Sequence, residues 1–167
     1  AARLSRAGAE LLVADVDPAR RAVADRLGAR WVTPEEALVA PVDVYAPCAL
    51  GGVLDEDTVP LLQAPVVAGA ANNQLADESA AEALAARGVL WAQDFVANAG
   101  GIINTAVELE GYHPAAARRR VASIADTLGH VYDDAAATGA TPLAAATALA
   151  RRRLAEAEAE AEDGRAG

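Results

Sequence analysis

The sequence predicts an α/β fold, a doubly wound parallel sheet with helices on both faces, followed by a purely helical C-terminal part. Three observations carry that prediction. Short apolar, largely β-branched runs alternate with helical runs as far as Trp91. The runs are continuously apolar, the pattern of strands buried on both faces; a sheet wetted on one side would alternate. Three loops of Asn, Gly and Ala follow successive apolar runs: APCALGG (46–52), GAANN (69–73) and NAGGIIN (98–104). Small residues let a ligand approach the backbone, and an Asn amide both donates and accepts, which suits a cofactor edge better than a packed core.

Taken in order, Ala1 to Gly8 reads as the back half of a helix stopped by Gly8, with no cap before it. The chain has no Met, and its start reads as cut from a longer protein. Glu10 to Ala14 (ELLVA) is strand-like, and Pro18 to Leu27 is a helix closed by Gly28. Arg30 to Thr33 is a second strand, Pro34 to Leu38 a helical turn or two, and Val42 to Ala46 (VDVYA) a third strand. Asp55 to Leu62 is expected to be a helix, with acids near its N-terminus where they complement the dipole. Pro65 to Ala70 is strand-like, Asp77 to Arg87 a helix capped by Asp77 and ended by Gly88, and Val89 to Trp91 strand-like again. Three helices then follow: Ile102 to Glu110, Pro114 to about Ala137, and Thr141 to about Glu162. The run AEAEAEAED (155–163) sets acids all round the last helix, so a solvated end is expected, with residues 164–167 a disordered tail.

Composition narrows the function classes. A length of 167 residues suits one domain with a real core. The net charge of −10 argues against nucleic acid or an anionic membrane as partner, since both attract basic patches. The apolar runs are too short for a membrane span. Cys48 is the single cysteine, which rules out an internal disulfide and fits a reducing, cytoplasmic setting. One Cys and two scattered His show no metal-ligand spacing, so no metal is expected. All 14 basic residues are Arg, so any chemistry that needs a lysine must come from outside this sequence.

Asp15 ends the first strand, where doubly wound dinucleotide-binding folds place an acid that hydrogen-bonds a ribose. Capping the following helix is the alternative, a role open equally to Asp17. An acid here repels a 2′-phosphate, which leans the reading to NAD. The Gly-rich fingerprint belongs about twenty residues before such an acid, and only fourteen precede Asp15, so the first strand and the phosphate loop lie outside the sequence. Cys48 has no base near it in sequence and reads as a small buried or cofactor-facing residue. Asn72 and Asn73 follow a strand, with an Asx-turn as their alternative; Asn98 precedes Gly100 and Gly101, with a helix N-cap as its own.

With these residues named, the sequence resembles the NAD-binding domain of the leucine, phenylalanine and valine dehydrogenases, within the glutamate dehydrogenase superfamily. Four ordered blocks carry the resemblance: APCALGG, VVAGAANNQL (66–75), RGVLWAQDFVANAGGIIN (87–104) and AVELEGY (106–112). It implies a Rossmann-like sheet lacking its first strand and Gly-rich loop over residues 1–111, with helices of residues 112–163 packed on it. It places Asp15 on the adenosine ribose, Cys48, Ala49 and Ala71 along the cofactor, Asn73 near the nicotinamide ribose and substrate carboxylate, and Asn98 on the carboxamide. Ile102 and Thr105 match the positions that shape the amino-acid side-chain pocket.

The implied activity is NAD-dependent oxidation of an apolar L-amino acid of the Leu, Val or Phe type to its 2-oxo acid and ammonia. The implied partners are that small molecule and, for the intact protein, further copies of itself as a homo-oligomer. In this family lysines and an aspartate of a preceding domain transfer the protons, so this segment alone is expected to be inactive. Two departures stand out: Gln93 replaces a usual Pro, and Thr105 stands where aliphatic-specific members often carry Val. A non-catalytic nucleotide-binding module derived from the family is the second expectation. A helix-rich interaction domain built on Pro114 onward is the third.

Overall fold

The computed structural model describes residues 1–109, 111 and 113–166, with side chains described as far as Glu162. In chain order the elements are α1 (Ala2–Arg6), β1 (Leu12–Val13), a 3-10 turn (Pro18–Arg20), α2 (Arg21–Arg26), β2 (Arg30–Trp31), α3 (Pro34–Leu38), β3 (Val44–Tyr45), a second 3-10 turn (Val59–Leu61), β4 (Val66–Val67), α4 (Glu78–Ala86), β5 (Leu90–Trp91), α5 (Asp94–Ala97), α6 (Gly100–Leu109), α7 (Pro114–Thr138) and α8 (Pro142–Ala166). Glu110, the expected end of α6, lies outside the described residues.

Every strand pairing is parallel, with Leu12 opposite Arg30, Val44 opposite Val66, and Val66 opposite Leu90. The strands form two sheets, β1-β2 and β3-β4-β5. Among the described residues no strand pairing joins the two sheets. Leu11 and Val13 give their carbonyls to Arg30 and Val32, so the alternation of the backbone turns Leu12 to the unpaired edge. Tyr45 gives its carbonyl to Ala68, which turns Val44 the same way on β3. The second 3-10 turn corrects the expected helix over Asp55 to Leu62. There the Asp55 carboxylate takes the Asp57 and Thr58 N–H groups at 3.0 and 2.8 Å, and Pro60 lacks a donor, so side-chain bonds replace the helical ladder.

The main core is Leu54, Val59, Leu62, Val67, Ala80, Leu84, Val89 and Trp91, between the three-stranded sheet and α4. Arg87 ties this core to the 3-10 turn by donating to the carbonyls of Val59 and Leu62. A second cluster, Val131, Ala135, Ala145 and Ala146, joins α7 to α8 and takes in Val96 of α5. The helical part thereby braces α5 and α6, the two elements that carry the NAGG loop. Gly139 closes α7 at φ 70, the left-handed conformation that a residue with a Cβ reaches at a cost. Beyond Leu149 the packing stops: α8 continues as helix with every described side chain from Arg151 to Glu162 exposed, as the acid spacing predicts. Among the described residues no helix is long and apolar enough to cross a membrane.

Candidate functional site

Two loops at the carboxyl ends of β3 and β4 run side by side, zipped by backbone bonds. The Ala71 N–H donates to the Pro47 carbonyl at 3.0 Å, Gly52 to Asn73 at 2.7 Å, Leu54 to Gln74 at 3.0 Å, and Ala76 to Leu54 at 2.9 Å. Glycine is required at two places by contact, not by dihedral. A Cβ on Gly51 would stand 2.7 Å from the carbonyl oxygens of Asn72 and Asn73, and one on Gly69 would fall onto the Pro47 carbonyl. The small residues that suggested ligand approach thus first serve the approach of one loop to the other.

The third loop reaches across to this pair. Asn98 is the C-cap of α5, and its Nδ2 donates to the Ala71 carbonyl at 3.3 Å and to Asn72 Oδ1 at 2.6 Å. It is therefore not the side-chain cap of α6, whose Ile103 N–H bonds the Ala99 carbonyl. Asp77, not Asn72 or Asn73, caps α4 through the Ser79 N–H. Asn73 has φ 51, the one positive value at a non-glycine residue among those described, a conformation Asn tolerates better than most. In the first turn of α6, Gly101 has nothing within 4 Å of a Cβ position, and Gly100 meets Val121 only at 4.0 Å. Both positions are thus open to a side chain, two and three residues after Asn98 in the chain.

Beneath the loops lies a buried polar knot that sequence reasoning passed over. Gln74, 0% exposed, donates from Nε2 to the carbonyls of Gly69 and Ala71 at 3.0 and 3.1 Å and accepts the Trp91 indole N–H at 3.1 Å. Its own N–H donates to Asp94 Oδ2 at 2.7 Å, while Asp94 Oδ1 takes the Phe95 N–H at 2.7 Å. Ala71 is buried, and its N–H and carbonyl are both engaged within the chain. Asn72, Gln74 and Asp94 all stand inside the motifs read above, yet their side-chain roles depend on partners 17 to 26 residues away. Gln93, at the usual Pro position, is buried too; its Nε2 donates to Trp91 at 3.0 Å, and its Oε1 has no partner among the described residues.

The remaining expected residues sit apart from this knot. Asp15 follows β1 and belongs to the other sheet; its Oδ1 accepts the Asp17 N–H at 2.9 Å, while Asp17 itself caps the 3-10 turn through the Ala19 N–H at 2.9 Å. The capping role has gone to Asp17, and Asp15 Oδ2 takes no hydrogen bond from the described residues. Cys48 and Ala49 are exposed, which corrects the buried alternative for Cys48 and leaves the surface-facing one. The half-buried Tyr45 has its phenol pKa raised, first by burial and second by Cys48, so the hydroxyl stays protonated. Ile102 and Thr105 both lie exposed on α6, and the Thr105 hydroxyl donates to the Gly101 carbonyl at 3.2 Å. That hydroxyl is thereby engaged inside its own helix. A broad open hollow lined by Arg30, Trp31, Val39 and Pro41 contains none of these residues.

Residues 11–161 match the family described as Glutamate/Leucine/Phenylalanine/Valine dehydrogenase. An L-tryptophan dehydrogenase of Nostoc punctiforme is 46% identical over 147 residues, covering 87% of this chain and 42% of that protein. A leucine dehydrogenase of Bacillus cereus is 42% identical over 150 residues, covering 89% and 41%, and a valine dehydrogenase of Streptomyces albus is 44% identical over 156, covering 91% and 43%. The chain therefore spans less than half the length of these relatives. The crystal structure of the L-tryptophan dehydrogenase from Nostoc punctiforme superposes with a TM-score of 0.88 at 42% identity, over 92% of this chain and 47% of that one. The ordered motifs, the parallel Rossmann-like architecture and a match over most of its length agree: this chain belongs to the glutamate/leucine/phenylalanine/valine dehydrogenase family.

Proposed function

We propose that this chain is the cofactor-binding part of an NAD-dependent dehydrogenase that converts an apolar L-amino acid to its 2-oxo acid and ammonia. The observation that carries the reading is Asn98, whose amide joins its own loop to Ala71 and Asn72 of the loop after β4. Three loops rich in amides and small residues are brought together by these bonds. The residues fit a dinucleotide in part. Asp15, with one carboxylate oxygen unbonded among the described residues, suits a ribose hydroxyl, and Cys48, Ala49, the Asn73 amide and the Asn98 Oδ1 suit the rest of the cofactor's length. The pyrophosphate donors of a Gly-rich loop are not among these residues.

When bound, NAD supplies the acceptor for the substrate's Cα hydride. This chain's residues bind and orient: with both its N–H groups given to Ala71 and Asn72, Asn98 offers its Oδ1 as an acceptor, Asn73 offers a donor and an acceptor, and Ile102 with Thr105 offers an apolar face to the substrate side chain. Its hydroxyl engaged within the helix, Thr105 serves that face much as a Val would. The relatives are named for leucine, valine and tryptophan, side chains of quite different size, and this supports the class of apolar substrates. Proton transfer by lysine is outside what these residues do, because the chain has none. That same lack favours, as second reading, a nucleotide-binding module without turnover. A lysine-bearing domain elsewhere in the encoded protein would decide for the dehydrogenase, which we take to work as a homo-oligomer.

Calorimetric titration of the chain tests the reading. NADH should bind about tenfold more tightly than NADPH, a difference of roughly 1.4 kcal/mol from repulsion between Asp15 and a 2′-phosphate. Asp15→Ala should shrink that ratio toward one, and failure of wild type to bind either nucleotide would end the proposal.

A second expectation separates packing from ligand binding. Gly101→Ala, in a helix with open space around the new methyl, should raise stability by about 0.5 kcal/mol. The same methyl should weaken NADH binding, because the proposed site includes this turn of α6. Thermal unfolding and titration of one variant read both; unchanged NADH affinity would remove Gly101 from the site.

A further inference from the structure

The polar knot under the loops is more elaborate than burial alone requires. Gln74 stands fully buried beside Trp91 and Ala71, a place where an amide is tolerated only if its polar atoms are paired. All three polar functions of its side chain are engaged: two N–H donations to the carbonyls of Gly69 and Ala71, and one acceptance from Trp91. The backbone of the same residue is held at both ends, its N–H by Asp94 and its carbonyl by Leu54. The two loop carbonyls it grips bracket the chain just before Asn72 and Asn73, and one of them, Ala71, also receives Asn98. Asn73 is the residue with φ 51, and such a conformation persists where its neighbours over-determine it.

We infer that Gln74 is a positioning residue: through Trp91 and the carbonyls of Gly69 and Ala71 it fixes the 69–73 loop, and so aims Asn72, Asn73 and Asn98 at the nicotinamide end of the cofactor. The inference rests on the dinucleotide reading above for its ligand, but the loop geometry it asserts stands on this chain alone. Amide donors convert a loop that would otherwise fray into one with a single arrangement, and the low dielectric around them strengthens each bond. Asp94 completes the device from α5. By holding the Gln74 N–H it ties the 69–73 loop to the helix that ends at Asn98, so the two Asn-bearing loops move together.

Two variants test it. Gln74→Met keeps the volume and removes every side-chain hydrogen bond; Gln74→Glu keeps an acceptor for Trp91 but loses both donations to the loop carbonyls. Hydrogen exchange of the Gly52 and Ala71 amides reads the loop, and titration with NADH and with AMP reads the two ends of the cofactor separately. In both variants the protection of these amides should fall by about tenfold, with helix α7 unchanged. NADH affinity should fall by about tenfold while AMP affinity stays within roughly twofold. Unchanged protection of Gly52 and Ala71 overturns the inference, and so does a parallel loss of NADH and AMP binding, which would mark Gln74 as merely structural. If wild type binds neither ligand, the dinucleotide reading fails, and exchange at Gly52 and Ala71 still decides whether Gln74 fixes the loop.

Discussion

Gly69→Ala should destabilise the chain by about 3 kcal/mol, near the top of the range for overpacking, and should abolish tight NADH binding with it. The new Cβ would fall on the Pro47 carbonyl oxygen, with the Pro47 nitrogen and carbonyl carbon next in line at 2.6 and 2.7 Å. These are backbone atoms, so no side chain can rotate away to make room. The two loops must separate, which strains the bond from Ala71 to Pro47 and the Gln74 donation to the Gly69 carbonyl. Gly69 does not have a positive φ, so the loss would arise from contact and not from a forbidden dihedral. Urea denaturation with NADH titration measures both effects. A midpoint within error of wild type would show that the loops lie farther apart than described, and would weaken the site built on them.

Leu54→Ala comes next, with an expected cost of about 3 kcal/mol, inside the range for a fully buried leucine. Leu54 is 0% exposed at the centre of the main core, against Val59, Leu62, Val67 and Leu84. It also joins the two loops, since its backbone pairs with the segment at Leu75 and its N–H donates to Gln74. A cavity under that junction should loosen the loops as well as the core. Four residues earlier, Leu50 is 83% exposed, and Leu50→Ala should change stability by no more than about 0.5 kcal/mol. The denaturation midpoints of the pair, compared at equal m-value, check the contrast. Similar costs at both positions would contradict the burial pattern.

The contrast between these two leucines shows how far sequence reading reaches. Both sit in the same Gly-rich stretch, and nothing local separates them. The alternation of apolar runs with helices was legible because period and length are local properties, and the cap at Asp77 follows from a bond to Ser79, two residues on. The expected helix from Asp55 was lost to a local competition, in which the Asp55 carboxylate satisfies the backbone donors that a helix would have used. Its carboxyl pKa is lowered, chiefly by the bond from the Thr58 hydroxyl.

The site divides in the same way. Position at strand or loop ends pointed to Asp15, Asn73 and Asn98, and the resemblance carried by the ordered motifs added Ile102 and Thr105. Gln74 and Asp94 became visible only with the coordinates, as did the bond that Asn72 accepts from Asn98. A glutamine after two asparagines reads as a surface loop until the chain returns, seventeen residues later, to bring an indole N–H against it.

By itself, then, the sequence determined the α/β class, the parallel strands, the three Asn and Gly loops and the family to which they belong, since each is written in short-range pattern. Tertiary structure alone decided that the sheet divides in two, that Gly51 and Gly69 serve loop contact, and that Asn98 joins Asn72 and Ala71. The reason is physical: hydrogen bonds and steric contacts between residues far apart in the chain depend on where the core places each loop, and local propensity carries no record of that placement.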